Sequence, residues 1–403
     1  MRVLIADKLP DRARTRLAAA GFEVRAAPTL SGDTLREHLA AWPADVLVVR
    51  STKVTHAHLD ACPSLGLVVR GGAGVNTIDL AACSAHGVFV ANCPGKNAVA
   101  VAELTFALLL AIDRHVVRGD QELKAGQWNK GAHAKARGLA GRTLGLLGMG
   151  SIGQEVRQRA AAFGMPVVAW SRSLTPARAA ELGVRFAATP EEVARQADIL
   201  SVHLALTPET RGLVGESILG ALPHGAVFLN TSRAGVVDTE ALLTALDQRD
   251  LCAGLDVFPD EPSAKEGPFA SPLARHERVV GSHHIGASTA QAQQAVADEA
   301  CRIIEHFRDD GQVHNCVNRM VDSRATHRVV VRHCDRVGVL ASVLGALSEA
   351  GVNVQEMENL IFPGGAAIAR IQVSSAPPPD LGARIATLDD VLHASIVPIQ
   401  ENP

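Results

Sequence analysis

The chain contains no tyrosine among its 403 residues, and aromatic side chains make up only 3% of it. Any mechanism that relies on a catalytic tyrosine is thereby excluded. Charge of one sign is equally scarce. A formal net charge of -3, from 39 Lys and Arg against 42 Asp and Glu, leaves no basic surplus for life on a nucleic-acid backbone. Cysteines are few and scattered: Cys62, Cys83, Cys93, Cys252, Cys301, Cys316 and Cys334 show neither paired nor metal-like spacing. They read as small buried residues or free thiols, and no metal site is expected. Long apolar runs are absent too. Leu104 to Ile112 is too short to span a bilayer, and the opening MRVLIADKLPD reaches Asp7 without a signal-type apolar segment. The expectation is a soluble cytoplasmic protein of two or three domains, with neither a membrane nor a nucleic acid as partner.

Glycine, in contrast, is plentiful at 35 residues, and three of them organise the chain. The stretch Thr143 to Gly164 runs from apolar Leu144, Leu146 and Leu147 into Gly148, Gly150 and Gly153, then into a helical pattern with Val156, Ala160 and Phe163. That is a strand, a tight phosphate loop and a helix. Gly148 lets the chain turn, Gly150 lets backbone approach a pyrophosphate, and Gly153 permits close packing. The helix start, from Ser151 and Ile152, offers free N–H groups to the anion. The next apolar run, Val167 to Trp170, ends in Ser171-Arg172-Ser173. A carboxylate there would select NAD; its absence, with an arginine at hand, points slightly to NADP over NAD.

Short apolar runs alternate with helical patterns along the first three quarters of the chain, which predicts parallel sheets with helices on their faces. Val3 to Ala6, Phe22 to Ala26, Val46 to Val49, Leu67 to Val69 and Val88 to Val90 form a first set. Lys96 to about Lys124 reads as largely helical, with Trp128 and Lys130 exposed after it. Strands from Ile199, Ala226, Cys252 and Val279 continue the second set, and Ala290 to Phe307 is a helix long enough to return to the first. The fold class is α/β: two Rossmann-like doubly wound sheets, the nucleotide domain (99–287) inserted into a first domain (1–98 and 288–316). A linker (317–325) then leads to a C-terminal βαββαβ unit (326–400).

Three residues follow strand ends in the second half: Arg233, Glu261 and His284. Strand ends are where open α/β sheets bind ligands, so these distant residues can share one cleft. A histidine supplies and takes back a proton, a carboxylate orients it, and an arginine clamps an anion or polarises a carbonyl. His283 is the rival for the same role, since neighbouring side chains do not normally face one cleft. In the first half, Arg50-Ser51-Thr52-Lys53 and Arg70-Gly71-Gly72-Ala73-Gly74-Val75-Asn76 follow two strands, the second a backbone nest suited to a carboxylate.

These residues carry a resemblance. TSRAGVVD, LDVFPDEP and HIGAST are similar to the signature of the D-isomer-specific 2-hydroxyacid dehydrogenases, and the full length resembles the D-3-phosphoglycerate dehydrogenase branch that carries a C-terminal ACT domain. The resemblance implies a substrate arginine at Arg233, a paired glutamate at Glu261 and an acid/base histidine at His284, although His283 stands where that family usually has proline. It implies substrate contacts at Arg50, Lys53, Arg70, Gly72, Ala73 and Gly74, with Lys130 lent by a neighbouring subunit of a homodimer or homotetramer. Cofactor contacts fall on Gly148, Gly150, Ser151, Ile152, Gly153, Ser171, Arg172, Ser173, Thr231 and Asp256. His333, Asp335 and Asn353 match positions that bind an amino-acid effector, serine in some relatives. The activity implied is reversible hydride transfer to or from 3-phosphoglycerate at entry to serine synthesis. The alternative is NADPH-linked reduction of glyoxylate or hydroxypyruvate; a non-enzymatic, redox-sensing corepressor is a minor third reading.

Overall fold

The computed structural model describes residues 1–262, 266–320 and 324–399. Residues 321–323 of the expected linker and residue 400 lie outside these. The chain divides into two compact units, Met1–Asn318 and Arg319–Pro403.

The first unit holds two parallel sheets. The strands β1 (Arg2–Ile5), β2 (Glu23–Ala26), β3 (Val46–Val49), β4 (Leu67–Arg70) and β5 (Phe89–Asn92) pair in the order β2-β1-β3-β4-β5. A parallel sheet covered on both faces needs strands that are apolar throughout, and Val46–Val49 is buried at all four positions. One face carries Leu35, Leu39, Leu59 and Cys83. The other is covered by the helix Ala290–Asp309, whose Val296, Ala300, Ile303 and Ile304 join Leu17 and Val69 in a single cluster. Burial of Ile303 and Ile304, both fully enclosed, contributes about 1.5–3 kcal/mol each. The late helix thus returns to the first sheet, as its length suggested.

The second sheet comprises β6 (Leu144–Leu147), β7 (Val167–Trp170), β8 (Arg185–Phe186), β9 (Ile199–Val202), β10 (Val227–Asn230), β11 (Cys252–Leu255) and β12 (Val279–Gly281), ordered β12-β11-β10-β9-β6-β7-β8. The chain runs outward from β6 to β8 and then crosses back to β9. This reversal opens a crevice between β6 and β9 at their carboxyl ends. Each face has its own buried cluster, one around Phe228 and Val193, the other around Leu146 and Phe106.

Two local details go beyond the sequence pattern. The stretch from Lys96 is two helices, Ala98–Asp113 and Val116–Lys124, because His115 adopts a left-handed conformation with φ 52°. The first buries ten of its residues and the second none, so the break falls where packing against the sheet ends. The two-residue strand β8 was not foreseen; both of its residues are exposed at a sheet edge and carry no apolar run.

The second unit contains β13 (His327–Cys334), β14 (Val354–Phe362), β15 (Ala366–Val373) and β16 (Val391–Pro398), antiparallel in the order β14-β15-β13-β16. Helices Val339–Glu349 and Leu381–Ala386 complete the βαββαβ order expected. Alternate residues of β15, Ala367, Ala369, Ile371 and Val373, enter the core, the period-two pattern of a sheet buried on one face. All seven cysteines are free thiols. Among the described residues no helix is long and apolar enough to cross a membrane.

Candidate active site

The crevice at β6 is shaped by its glycines. Gly148 takes φ 104°, and a Cβ there would meet the carbonyl oxygen of His203 at 2.4 Å, so no other residue makes this turn beside β9. A Cβ at Gly153 would strike the Gly148 carbonyl at 2.1 Å. Gly150 faces open space, with nothing within 4 Å of a built Cβ, and it caps the helix Ser151–Ala162 with no side-chain bond to the first turn. Free amides, a helix N-terminus and room for an anion together fit a dinucleotide pyrophosphate. At the tip of β7, Ser171 is partly buried while Arg172 and Ser173 are exposed. The hydrogen bond from Thr207, together with a more distant charge on Arg172, holds the exposed Glu209 carboxyl below its usual range.

Two expected cofactor contacts are differently engaged. The Thr231 hydroxyl lies 3.0 Å from that of Thr105, which donates to the Val101 carbonyl, so Thr231 ties β10 to the helix Ala98–Asp113. Asp256, 1% exposed, accepts from Ser282 Oγ at 2.6 Å and Ile285 N at 2.8 Å on one oxygen, and from Gly286 N at 2.8 Å on the other. Both carboxylate oxygens therefore brace the loop that carries His284.

In that loop His284 Nδ1 lies 2.7 Å from Glu261 Oε2. A carboxylate only accepts, so Nδ1 carries a proton and Nε2 is left for a ligand. The other Glu261 oxygen accepts from Phe258 N at 2.9 Å. Burial alone would raise the Glu261 carboxyl. The bonds from His284 and the Phe258 amide, with the charge of Arg233, hold it below the usual range instead. His284 itself sits at φ 53°, a conformation costly for a residue with a Cβ.

A cleft of about 340 Å³ opens at the carboxyl end of the first sheet. Lys8, Arg50, Arg70, Gly72, His284 and Gln293 are among its lining residues. His283 instead lines a neighbouring hollow, to which His284 also contributes. The Arg70 guanidinium lies against Gly72 and that of Arg233 against Gly74, where added Cβ atoms would have no room. Ala73 is held by Asn92, whose Nδ2 donates to its carbonyl at 2.5 Å. Burial pushes Arg70 down to about 10, with the charges of Arg233 and Arg50 adding to it. Burial likewise lowers Arg233. Among the described residues no carboxylate oxygen comes within 4.0 Å of any of the three guanidinium groups, and the buried Arg70 Nε has no partner. Arg70 and Arg233, desolvated and without a carboxylate in ion-pair contact among the described residues, favour a bound anion.

Asp7, which the sequence reading passed over, holds this site up. Its buried carboxylate accepts from the backbone amides of Arg50, Ser51 and Thr52 at 2.7, 2.9 and 2.9 Å and from Ser51 Oγ at 3.0 Å. Burial opposes its charge, but these amide bonds outweigh it and lower its pKa. A carboxylate at the end of the first strand was the available signal. Lys53 is exposed and outside the cleft lining, and Lys130 begins the exposed helix Lys130–His133. In the C-terminal unit, His333 is 1% exposed, on the same face of β13 as Val331, and its ring nitrogens meet the Cys334 carbonyl and Asn359 Oδ1. It is a core histidine there rather than a free effector ligand. Asp335 and Asn353 are exposed.

Residues 106–286 match the NAD-binding domain of the D-isomer-specific 2-hydroxyacid dehydrogenases. The chain is 38% identical over 350 residues to a D-3-phosphoglycerate dehydrogenase of Mycobacterium leprae, covering 86% of this chain but 64% of that relative's length. It is 40% identical over 258 residues to a hydroxypyruvate reductase of Thermotoga maritima, covering 63% of this chain and 82% of the relative. A solved structure from Thermus thermophilus superposes with a TM-score of 0.70 at 35% identity, over 79% of this chain and 100% of that one.

Proposed function

This chain belongs to the D-isomer-specific 2-hydroxyacid dehydrogenase family, and on that premise we propose that it is a D-3-phosphoglycerate dehydrogenase. The reaction is reversible oxidation of the 2-hydroxyl carbon to give 3-phosphohydroxypyruvate, at entry to serine synthesis. The carrying observation is a cluster of cations: Arg50 and Arg70 line the cleft, Arg233 lies against Gly74 of the adjoining loop, and among the described residues none of the three has a carboxylate oxygen within 4.0 Å. A carboxylate plus a phosphate brings about three negative charges to these three cations, whereas glyoxylate brings one.

A nicotinamide cofactor held at the Gly148–Gly153 loop would supply the hydride acceptor for C2 of the substrate. His284 Nε2 takes the hydroxyl proton at the same stage, and the Glu261 carboxylate on Nδ1 stabilises the imidazolium so formed. Arg233 holds the carboxylate and polarises the developing carbonyl, while Arg70 and Arg50 hold the phosphate. In reverse, His284 returns its proton to the carbonyl oxygen. Gly148, Gly150, Ser151, Ile152 and Gly153 hold the pyrophosphate, and Arg172 favours NADP. The active form is a homodimer or tetramer, with the C-terminal unit open to an amino-acid effector through Asp335 and Asn353.

A second reading, NADPH-linked reduction of glyoxylate or hydroxypyruvate, draws on the Ser171-Arg172-Ser173 tip and on the Thermotoga relative. The test is kcat/KM for 3-phosphoglycerate oxidation and for reduction of the two small keto acids, each with NAD and NADP forms. Dominant phosphoglycerate turnover supports the first reading. Strong small-acid reduction with negligible phosphoglycerate turnover replaces it with the second.

A further inference from the structure

Three polar side chains that the proposed chemistry does not use meet on the surface of the first unit. His56 and Asp60 stand one turn apart on the short helix His56–Asp60, and His86 ends the helix Leu80–Ala85. His56 Nδ1 lies 2.7 Å from Asp60 Oδ2, and His86 Nε2 lies 3.0 Å from Asp60 Oδ1. The imidazoles meet edge to face with centroids 4.8 Å apart. One ligand atom from each of the three residues falls within 4.8 Å of the others, and all three residues are open to solvent.

The Ala82 contact orients the His86 ring so that Nε2 faces Asp60. Its Nδ1 lies 2.8 Å from the Ala82 carbonyl, which can only accept, so Nδ1 carries the proton. A neutral His86 then points the Nε2 lone pair at a carboxylate oxygen 3.0 Å away. Two bare lone pairs repel at that distance, so the pair is joined by a proton, on the ring or the carboxyl, or by a metal ion. Two imidazoles and a carboxylate are a donor set for zinc and its first-row neighbours, and an N–H donated to a backbone carbonyl is the outer contact that orients a metal-bound histidine. His56 Nδ1, which donates to Asp60 when no ion is bound, would give up that proton to a metal and keep one on Nε2. Tetrahedral zinc bonds of about 2.0–2.1 Å place ligand atoms roughly 3.3 Å apart, within reach of small rotations of these exposed side chains.

We infer that His56, Asp60 and His86 bind a first-row transition-metal ion of the zinc type, with water completing its shell. The ion clamps the helix His56–Asp60 to the end of the helix Leu80–Ala85. These helices continue directly from the Arg50 and Arg70 loops, which are already joined by Val54 N to the Thr77 carbonyl and Asp79 N to the Val54 carbonyl, 2.9 Å each. The site is therefore structural and lies behind the substrate loops.

The test uses the full chain, free of any affinity tag and stripped with chelator, titrated with Zn²⁺ by calorimetry at pH 8, where protons compete least. One Zn²⁺ per chain is expected, with a raised thermal midpoint. Both effects should be lost, and affinity weakened at least tenfold, in His86→Ala and in the near-isosteric Asp60→Asn. Co²⁺ should give visible ligand-field bands without the near-ultraviolet charge-transfer band of a thiolate. No stoichiometric binding, equal binding by parent and both variants, or a thiolate band would each overturn the assignment and leave a proton as the bridging charge.

Discussion

Replacing Asp256 by asparagine keeps the side chain's shape and one of its two accepting oxygens. Through Oδ1 it still serves Ser282 and Ile285, but an amide NH₂ then faces the buried N–H of Gly286, which now sits 2.8 Å from Oδ2. A charge-assisted bond is lost and a donor is left facing a donor, a cost of about 1.5–3 kcal/mol. That energy holds the loop in which His284 is kept at φ 53°, a conformation whose intrinsic cost is about 1–2 kcal/mol. The two quantities are comparable, so the loop should leave its working conformation for much of the time. Converted at about 1.4 kcal/mol per decade, kcat should fall by about ten- to a hundredfold. Because no oxygen of Asp256 is free, the dissociation constant of NAD or NADP, read by nucleotide fluorescence, should change by less than about threefold. A variant with unchanged kcat and a large rise in cofactor dissociation constant would refute the bracing argument and restore Asp256 as a cofactor contact.

His284→Ala should abolish turnover while leaving cofactor binding near that of the parent; near-native turnover would remove His284 from proton transfer. Arg172→Ala should weaken NADP more than NAD, and equal losses in the two dissociation constants would exclude phosphate recognition by that side chain. Arg70→Met should raise KM for phosphoglycerate by about tenfold or more, with a much smaller effect on glyoxylate, as measured in the kinetic comparison above. Glu299, buried between Lys96 and Arg302, has its carboxyl pulled down to about 2 by the Arg302 hydrogen bond, against the opposing effect of burial. A depressed carboxylate pKa adds stability above its unfolded value near 4.5 and loses it as pH falls toward 2. After allowance for solvent screening of the half-exposed partners this is about 1–2 kcal/mol, so the stability advantage of the parent over Glu299→Gln in urea should be present at pH 7 and shrink between pH 5 and pH 2.

Runs such as Val46–Val49 and Leu144–Leu147 disclosed the two sheets because a strand buried on both faces admits little else than apolar residues. The glycine loop was legible for the same local reason: Gly148 and Gly153 face backbone atoms at distances that exclude a Cβ. Local pattern also located Arg233, Glu261 and His284 at strand ends. What local pattern does not carry is the pairing of a side chain with atoms far along the chain. Asp7 holds amides 43 to 45 residues away, and Asp256 holds a loop 26 to 30 residues away; only the sheet order makes them neighbours. Likewise His333 matches an effector position only by family resemblance, and its burial follows from the alternation of β13, while the helix break at His115 has neither proline nor glycine to announce it. The sequence by itself determined most of the elements and the nucleotide loop and marked Arg233, Glu261 and His284 as candidates, since each depends on a few consecutive residues. The tertiary structure alone decided which charges are compensated, which hydrogen-bond groups are already spent, and that Arg50, Arg70 and Arg233 have no carboxylate oxygen within 4.0 Å among the described residues. Burial and long-range contacts set those properties, and neither exists until the sheets have formed.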